Sequence, residues 1–250
     1  MKIFLTLLRR ELGSFFLSLT GYIIIAAVAL LLGLGFIVLI AGVGGDPFTE
    51  PVTAMFYSTF FFWLILLLAT PVITMRLFAL ERATGTFETL MTTPVGDVQL
   101  VAAKFFAALI FYLIMWLPMF ACLFIVQHFV SQVNLLDAGT IGGMYLGIFF
   151  LGCVFLSLGC FASSLTSNQM TAAMISFVLG VGLFSLSYLA KSVPLDGHWW
   201  SAVLATFNLF DQMHDFARGA VDTRAVLFYA GATFVFLFLT LRVVESRRWK

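Results

Sequence analysis

Long stretches without charge are the feature that most constrains this chain. Five runs contain no Asp, Glu, Lys or Arg, and these are Leu12–Gly45, Pro51–Met75, Phe105–Leu136, Ala138–Ala190 and Ala225–Leu241. A charged side chain at the centre of a bilayer costs roughly 2.5 to 3.5 kcal/mol even on the mildest scale, so such runs are typical of membrane-spanning helices. The composition agrees, because 62% of the residues are hydrophobic and only 10% are charged. No soluble domain is this apolar.

The number of spans follows from the lengths of these runs. A helix needs about 20 residues to cross the hydrocarbon. The Ala138–Ala190 run fits two spans, with a break expected in the polar cluster at 163–169, and the short last run is extended by Arg224 and Arg242, whose charges can reach the interface. The sequence therefore predicts one all-α polytopic membrane domain over residues 1–250. Its six spans are expected at roughly 20–42, 54–75, 104–127, 139–163, 168–190 and 223–243.

The basic residues predict the orientation. If both ends of the chain lie on one side, that side holds ten basic residues and the other side holds three, Lys191, Arg218 and Arg224. The positive-inside rule then places both termini and the polar loop 76–103 in the cytoplasm. The net charge of +1 argues against a nucleic-acid partner.

The N-terminal residues resemble the start of a signal peptide, because a basic segment precedes an apolar run. However, that run exceeds 20 residues, and the helical pattern of Ile3–Phe16 places Leu and Phe opposite Arg9, Arg10 and Glu11. An uncleaved interfacial helix over residues 1–16 is expected. Cleavage after the small residues of Ala41–Gly45 is the alternative.

The chain lacks a recognisable catalytic or metal-binding set. The cysteines Cys122, Cys153 and Cys160 all fall in predicted spans without metal-ligand spacing, which indicates packing roles. The histidines are scattered, and the sequence contains no GxxxxGK[ST] phosphate loop. Because every charged residue lies at or beyond a predicted span end, energy for any transport would come from another subunit. We therefore expect no enzyme activity and no cofactor on this chain.

The loop between the second and third spans predicts a short docking helix. Thr86 is a plausible N-cap, Glu88 falls in the first turn, and Pro94 ends the helix. An exposed apolar face would be formed by Phe87, Leu90 and Met91. Such a face suits a groove on a soluble partner. From the residues alone, a helix lying on lipid headgroups fits equally well.

The stretch Met75–Phe105, MRLFALERATGTFETLMTTPVGDVQLVAAKF, resembles the segment that follows the second span of type-2 ABC exporter permeases. In that family the segment contains the coupling helix, which sits on the cytosolic ATPase. The resemblance matches Glu81 and Arg82 to an acidic-basic pair, Gly85-Thr86 to the helix entry, Glu88 to an acidic position and Pro94 to the terminator. The implied coupling set is Glu81, Arg82, Gly85, Thr86, Phe87, Glu88, Leu90, Met91 and Pro94.

The C-terminal segment His214–Lys250 is similar to that of the gliding-motility-type branch of these permeases. The resemblance implies a bacterial inner-membrane protein that dimerises with itself or a close relative. It would bind cytosolic ABC ATPase subunits that carry ATP and Mg, with an envelope protein as an additional partner. The chain departs from the broader family because only Ala41–Thr53 separates the first two spans, which leaves no room for a large soluble domain.

The predicted external loop 191–224 is rich in aromatic residues, which favour the membrane interface. The family places short re-entrant helices here, below the external exit. The candidate exit residues are Trp199, Trp200, Asp211, Asp215 and Arg218. An interfacial belt that only anchors the last helix is the alternative.

Two local patterns predict details of the packing. Gly139, Gly143 and Gly147 recur every four residues, which places them on one helix face and permits close contact within the chain. Pro118 is expected to kink the third span.

The function predicted from these observations is export of an unidentified substrate by an ATP-driven permease. The alternative is a non-transporting membrane anchor that passes ATPase motion to an envelope partner. A membrane-embedded enzyme is disfavoured by the missing catalytic set.

Overall fold

The computed structural model describes residues 2–43, 50–87, 96–129, 138–192 and 206–248. Within these ranges it contains eleven helices and no strand. In chain order they are α1 (Lys2–Phe16), α2 (Leu19–Val43), α3 (Val52–Ser58), α4 (Phe60–Thr74), α5 (Ala79–Ala83), α6 (Asp97–Met115), α7 (Pro118–Phe129), α8 (Ala138–Leu165), α9 (Gln169–Ser192), α10 (Leu209–Ala217) and α11 (Thr223–Arg248). The predicted all-α fold is confirmed.

Six helical segments in the described residues are long and apolar enough to cross a membrane. They are Leu19–Gly42, Phe60–Ala83, Asp97–His128, Gly139–Leu165, Gln169–Ser192 and Thr223–Ser246. Each overlaps one of the predicted spans. The prediction of six spans is therefore confirmed.

Helix α8 forms the centre of the bundle. It contacts α4, α6, α9, α10 and α11. Its most apolar stretch is 78% buried inside the protein, whereas the corresponding stretch of α11 is only 11% buried. Glycines allow this close packing, since a Cβ at Gly152 would lie 2.3 Å from the Tyr112 ring and one at Gly159 would lie 2.2 Å from the Thr74 hydroxyl. The exposed sides of α2, α9 and α11 are apolar, as a lipid-facing surface requires.

The prediction of one continuous second span at 54–75 is wrong. The helix breaks at Thr59, whose φ and ψ of −75° and 146° are extended. Side chains bind the carbonyl groups that the break releases: the Thr59 hydroxyl donates to the Phe56 oxygen at 2.6 Å, and the Trp63 indole N–H donates to the Tyr57 oxygen at 3.1 Å. A break in a buried helix is tolerated when its polar groups find partners in this way.

The expected start of the third span is also wrong. Helix α6 begins at Asp97, about two turns before the predicted residue 104. Lys104 consequently lies within the helix and is only 1% exposed, which contradicts the expectation that every charge lies at or beyond a span end. The helix is interrupted at the position where the kink is predicted, because α6 ends in a turn at Trp116 and α7 begins at Pro118.

The glycine pattern on α8 packs within the chain, as predicted. A Cβ at Gly143 would lie 2.3 Å from the Phe216 carbonyl oxygen of α10, and one at Gly147 would lie 3.1 Å from the Phe216 Cβ. Gly219, which follows α10, has a φ of +82° and approaches Gly139. These glycines therefore seat α10 directly on α8.

Candidate functional site

A buried group of charges connects three helices at the end of the bundle that carries the polar loop. This ion cluster consists of Arg10 and Glu11 from α1, Glu81 from α5 and Lys104 from α6. Lys104 Nζ lies 3.2 Å from Glu11 Oε1 and 2.9 Å from Glu81 Oε1. Arg10 Nη2 lies 2.6 Å from Glu11 Oε1 and 2.9 Å from Glu81 Oε1. Two cations and two carboxylates thus balance each other.

Three of the four side chains in the cluster are shielded from solvent, and Arg10 is the half-exposed one. The Lys104 side chain is 1% exposed, and those of Glu11 and Glu81 are 10% and 15% exposed. The ammonium group also lies 5.4 Å from the centre of the Phe78 ring, a distance that permits a cation–π contact. Buried charges persist only when they are paired, so this lysine holds α1 and α5 against α6.

A side chain of α8 is hydrogen-bonded to the start of α5, the short helix at the beginning of the loop. The Ser163 hydroxyl accepts hydrogen bonds from the backbone N–H groups of Phe78 and Ala79, at 3.1 and 3.2 Å. These are N-terminal N–H groups of α5, which no carbonyl within that helix can satisfy. The central helix therefore caps the loop helix directly.

The substitution Ser163→Ala is expected to lower the free energy of unfolding by about 1 to 3 kcal/mol, because it leaves two buried donors without an acceptor. Thermal unfolding in detergent measures the effect. The neighbouring Ser164→Ala is a matched control, since the Ser164 hydroxyl only donates to the Phe161 oxygen of its own helix. Equal melting temperatures for the two variants would contradict the capping role.

Past α5, a tight turn directs the chain back toward the bundle. Gly85 has a φ of +72°, which favours glycine. The Thr84 hydroxyl donates to the backbone carbonyl oxygen of Leu80, and the Thr86 hydroxyl donates to the backbone carbonyl oxygen of Glu81. The expected exposed position of Phe87 is wrong: it is 8% exposed. The Arg82 guanidinium lies 5.1 Å from the centre of its ring.

The described residues thus contain only the first half of the predicted coupling set. Glu81, Arg82, Gly85, Thr86 and Phe87 are brought together at the base of the loop. Glu88, Leu90, Met91 and Pro94 lie outside the described residues, so their docking role stays a prediction.

The sequence analysis missed Glu11 and Lys104 as site residues. A signal for Glu11 is present, because Leu7, Glu11 and Phe15 are four residues apart and all three are buried on one face of α1. A carboxylate on the buried stripe of a helix requires a buried partner. Nothing in the local sequence identifies that partner as Lys104, 93 residues further along the chain.

A second charged group occupies the opposite end of the bundle. Arg218 Nη2 donates to Glu50 Oε1 at 2.5 Å, and His214 Nε2 lies 3.3 Å from Glu50 Oε2. The hydrogen bond with His214, together with that from Arg218, lowers the pKa of Glu50 below its usual value. Of the candidate exit residues, Arg218 therefore lies in an ion pair that links the end of α10 to Glu50, two residues before α3.

The other exit candidates have different positions. Asp211 accepts a hydrogen bond from the Asn208 side chain at 2.6 Å, in the first turn of α10. Asp215 is exposed, and its carbonyl group accepts hydrogen bonds from the turn after the helix. Trp199 and Trp200 lie outside the described residues. The structure therefore brings Arg218 together with Glu50 and His214, which the sequence did not indicate.

Hydrogen bonds hold α10 among the ends of the spans. The Thr53 hydroxyl donates to the Ala217 oxygen at 2.9 Å, and the Ser187 hydroxyl accepts from the Leu209 N–H at 2.8 Å. The Tyr57 hydroxyl donates to the Met144 oxygen at 2.7 Å, which fixes α3 to α8. Helices α3, α8 and α10 thus form one packed unit at this end.

Six apolar spans define a multi-pass membrane protein, and the residues that begin its polar loop are bonded to the bundle by charged side chains. The comparison with family models assigns it more closely, because residues 46–243 match the family described as ABC-2 family transporter protein. The chain belongs to this family and is a permease subunit of an ABC transporter, which is a transport subunit without catalytic activity of its own. A comparison with curated proteins found no match.

Proposed function

We propose that this chain is the membrane subunit of an exporter whose coupling segment lies in the loop 76–103. It pairs with a second permease chain, either itself or a close relative, and each chain binds a cytosolic ABC ATPase that carries ATP and Mg. Closure of the ATPases moves the coupling segments and opens a route between the two bundles. The family match supports the ATPase partner. The likeness to the gliding-motility-type branch remains part of this proposal.

The observation that carries the proposal is the attachment of the loop base to three helices. Through Glu81 the base is bonded to α1 and α6, and through Ser163 it is bonded to α8. The charged bonds are largely buried, where water screens them little. A displacement of the loop is therefore delivered to the centre of the bundle instead of being absorbed by a flexible connection.

Glu88 is the residue through which we test docking, because an acidic side chain adds specificity to an apolar contact surface. The variant Glu88→Lys is expected to insert normally but to bind the ATPase at least tenfold more weakly, or to leave the bound ATPase hydrolysing ATP without coupling. It places a cation at the predicted N-terminus of a helix, at a cost of about 0.3 to 1 kcal/mol, and removes any pairing with a basic ATPase residue. Copurification and ATPase assays in reconstituted vesicles measure both effects.

The matched control is Asp97→Lys, which reverses an acidic charge in the first turn of α6, at the other end of the same loop. Like Glu88→Lys, it places a cation in the first turn of a helix, but this helix is not the predicted docking helix. Full ATPase association with Glu88→Lys, or equal damage from both substitutions, would exclude Glu88 as the specific contact. An associated ATPase that hydrolyses ATP without moving any substrate would favour the alternative role of passing motion to an envelope partner.

The proposed orientation, with both termini and the coupling segment in the cytoplasm, has a direct test. In a cysteine-free background, single cysteines at Thr84 and Ser246 are expected to react only with reagents that enter the cytoplasm. A cysteine at Asp196 is expected to react from outside the cell. External labelling of Thr84 would reverse the topology and would place the loop beyond the reach of a cytosolic ATPase.

A further inference from the structure

One carboxylate connects α10 to the chain just before α3 through two different partners. His214 Nε2 lies 3.3 Å from Glu50 Oε2, and Arg218 Nη2 lies 2.5 Å from Glu50 Oε1. His214 and Arg218 are four residues apart, so both reach Glu50 from one face of the helix end. The two partners differ in one respect. An arginine stays charged at any pH that a protein encounters, whereas histidine changes its charge between about pH 5 and pH 8.

The charge of His214 decides what kind of contact it makes with Glu50. A neutral imidazole has one N–H donor, whereas the protonated ring donates from both nitrogens and carries a positive charge. Hydrogen bonds between ionised groups are roughly twice as strong as neutral ones. Glu50 stays ionised throughout this range, because the hydrogen bond with His214 and that from Arg218 lower its pKa. The contact is therefore a full ion pair only on the acidic side.

Other charged and titratable residues occur on α10 and on the elements packed against it at this end of the bundle. Helix α4 contributes none, and the others in the described ranges are Asp211, Asp215, Arg218 and Asp222 along α10 and the turn after it, Glu50 and Tyr57 around α3, Tyr145 on α8, Tyr188 and Lys191 on α9, and Arg224 and Tyr229 on α11. Histidine is the residue type in this group that ordinarily changes charge between about pH 5 and pH 8. A pH response of α10 in that range is thus expected to originate at His214.

The remaining bonds that hold α10 do not involve charge. The Thr53 hydroxyl donates to the Ala217 oxygen, and the Ser187 hydroxyl accepts from the Leu209 N–H. Neither group titrates near neutral pH. These bonds keep α10 in place on the alkaline side, so a change in pH alters how firmly the helix is held without releasing it.

We propose that His214 makes the attachment of α10 to the segment before α3 sensitive to pH. When His214 is protonated, Glu50 is bound by two cations of α10, and when it is neutral the charged contact is left to Arg218. The added stability is complete at the acidic end of the histidine range and is lost as the pH rises. At still lower pH, protonation of Glu50 removes it again. This proposal concerns the membrane subunit alone and does not depend on transport.

Hydrogen exchange of the purified full-length chain in detergent tests the proposal. Exchange of the α10 amides would be followed by mass spectrometry at about pH 5.5 and about pH 8, near the ends of the histidine range, and corrected for the intrinsic rate at each pH. We expect α10 to be protected about two- to fivefold more at the acidic pH, the range typical of a partly exposed ion pair. Equal corrected protection at the two pH values would overturn the proposal.

Three variants identify the group responsible. In His214→Gln the amide can still donate to Glu50 but does not titrate, so the difference between the two pH values should disappear. Glu50→Gln should also remove it, and it decides the outcome if His214→Gln fails to fold. His128→Gln, an exposed change at the end of α7, is the control and should keep the wild-type difference. A pH difference that persists in His214→Gln or in Glu50→Gln would contradict the proposal, as would its loss in the control.

Discussion

Replacing Lys104 with methionine is expected to lower the free energy of unfolding by about 3 to 5 kcal/mol, the usual effect of removing one partner from a buried ion pair. The lysine is 1% exposed and bonds to both Glu11 and Glu81. Methionine preserves most of the volume but leaves two carboxylates close together, with only the half-exposed Arg10 as a counter-charge. Denaturant or thermal unfolding of the purified protein in detergent, followed by tryptophan fluorescence, measures the loss.

Two further variants show whether charge causes the loss. Arg9→Met changes an exposed cation on α1 and is expected to stay within about 0.5 kcal/mol of the wild type. The triple variant Lys104→Met, Glu11→Gln, Glu81→Gln removes the carboxylates as well, and it should recover most of the stability, since a neutral replacement of a buried ion group is often well tolerated. A Lys104→Met protein as stable as the Arg9→Met control would show that the cluster does not hold α1 and α5 in place.

The second large effect is expected at the opposite end, where α10 rests on α8. A Cβ at Gly143 would lie 2.3 Å from the Phe216 carbonyl oxygen and 3.0 Å from the Gly219 Cα. Both are backbone atoms, so α10 itself must shift. We expect Gly143→Ala to be less stable than Gly142→Ala by about 1 to 3 kcal/mol, the typical cost of overpacking.

The adjacent residue makes a close control, because a Cβ at Gly142 would have nothing within 4 Å. Alanine raises helix propensity by about 1 kcal/mol at either position, so this gain cancels when the two variants are compared. Calorimetric melting of both proteins in the same detergent gives the difference. If Gly143→Ala melts at or above the temperature of Gly142→Ala, α10 is not seated as tightly as its contacts indicate.

The spans were predictable because charge and length alone decide which segments can enter a bilayer. Hydropathy does not detect the break at Thr59, since Thr59 and the residues around it are uncharged and the stabilising bond comes from the Trp63 indole. The start of α6 was missed because a charged residue, Lys104, lies inside the helix. Lys104 was assumed to end the apolar run, whereas its burial depends on carboxylates supplied by α1 and α5.

From the sequence, the segment that contains the candidate site could be predicted, but the contacts within it could not. The sequence correctly selected the loop that begins at Arg76 as a distinct element, and the resemblance drew attention to Glu81 and Arg82. It could not show that Glu81 points toward Lys104 or that Phe87 lies beneath Arg82. These contacts depend on tertiary packing and on the turn at Gly85. The docking role of Glu88, Leu90, Met91 and Pro94 remains a prediction.

The extended residue Thr59 separates α3 from α4, the helix that begins the second membrane-crossing segment. Helix α3 is fastened to its surroundings by the Thr53 and Tyr57 hydroxyls, whereas α4 leads to the coupling segment. An unbroken helix would behave as a rod and would transmit any tilt along its full length. Here the φ and ψ angles of a single residue can absorb the tilt. The break therefore separates the direction of α3, which is bonded to α8 and α10, from that of α4, which leads to the loop at Arg76.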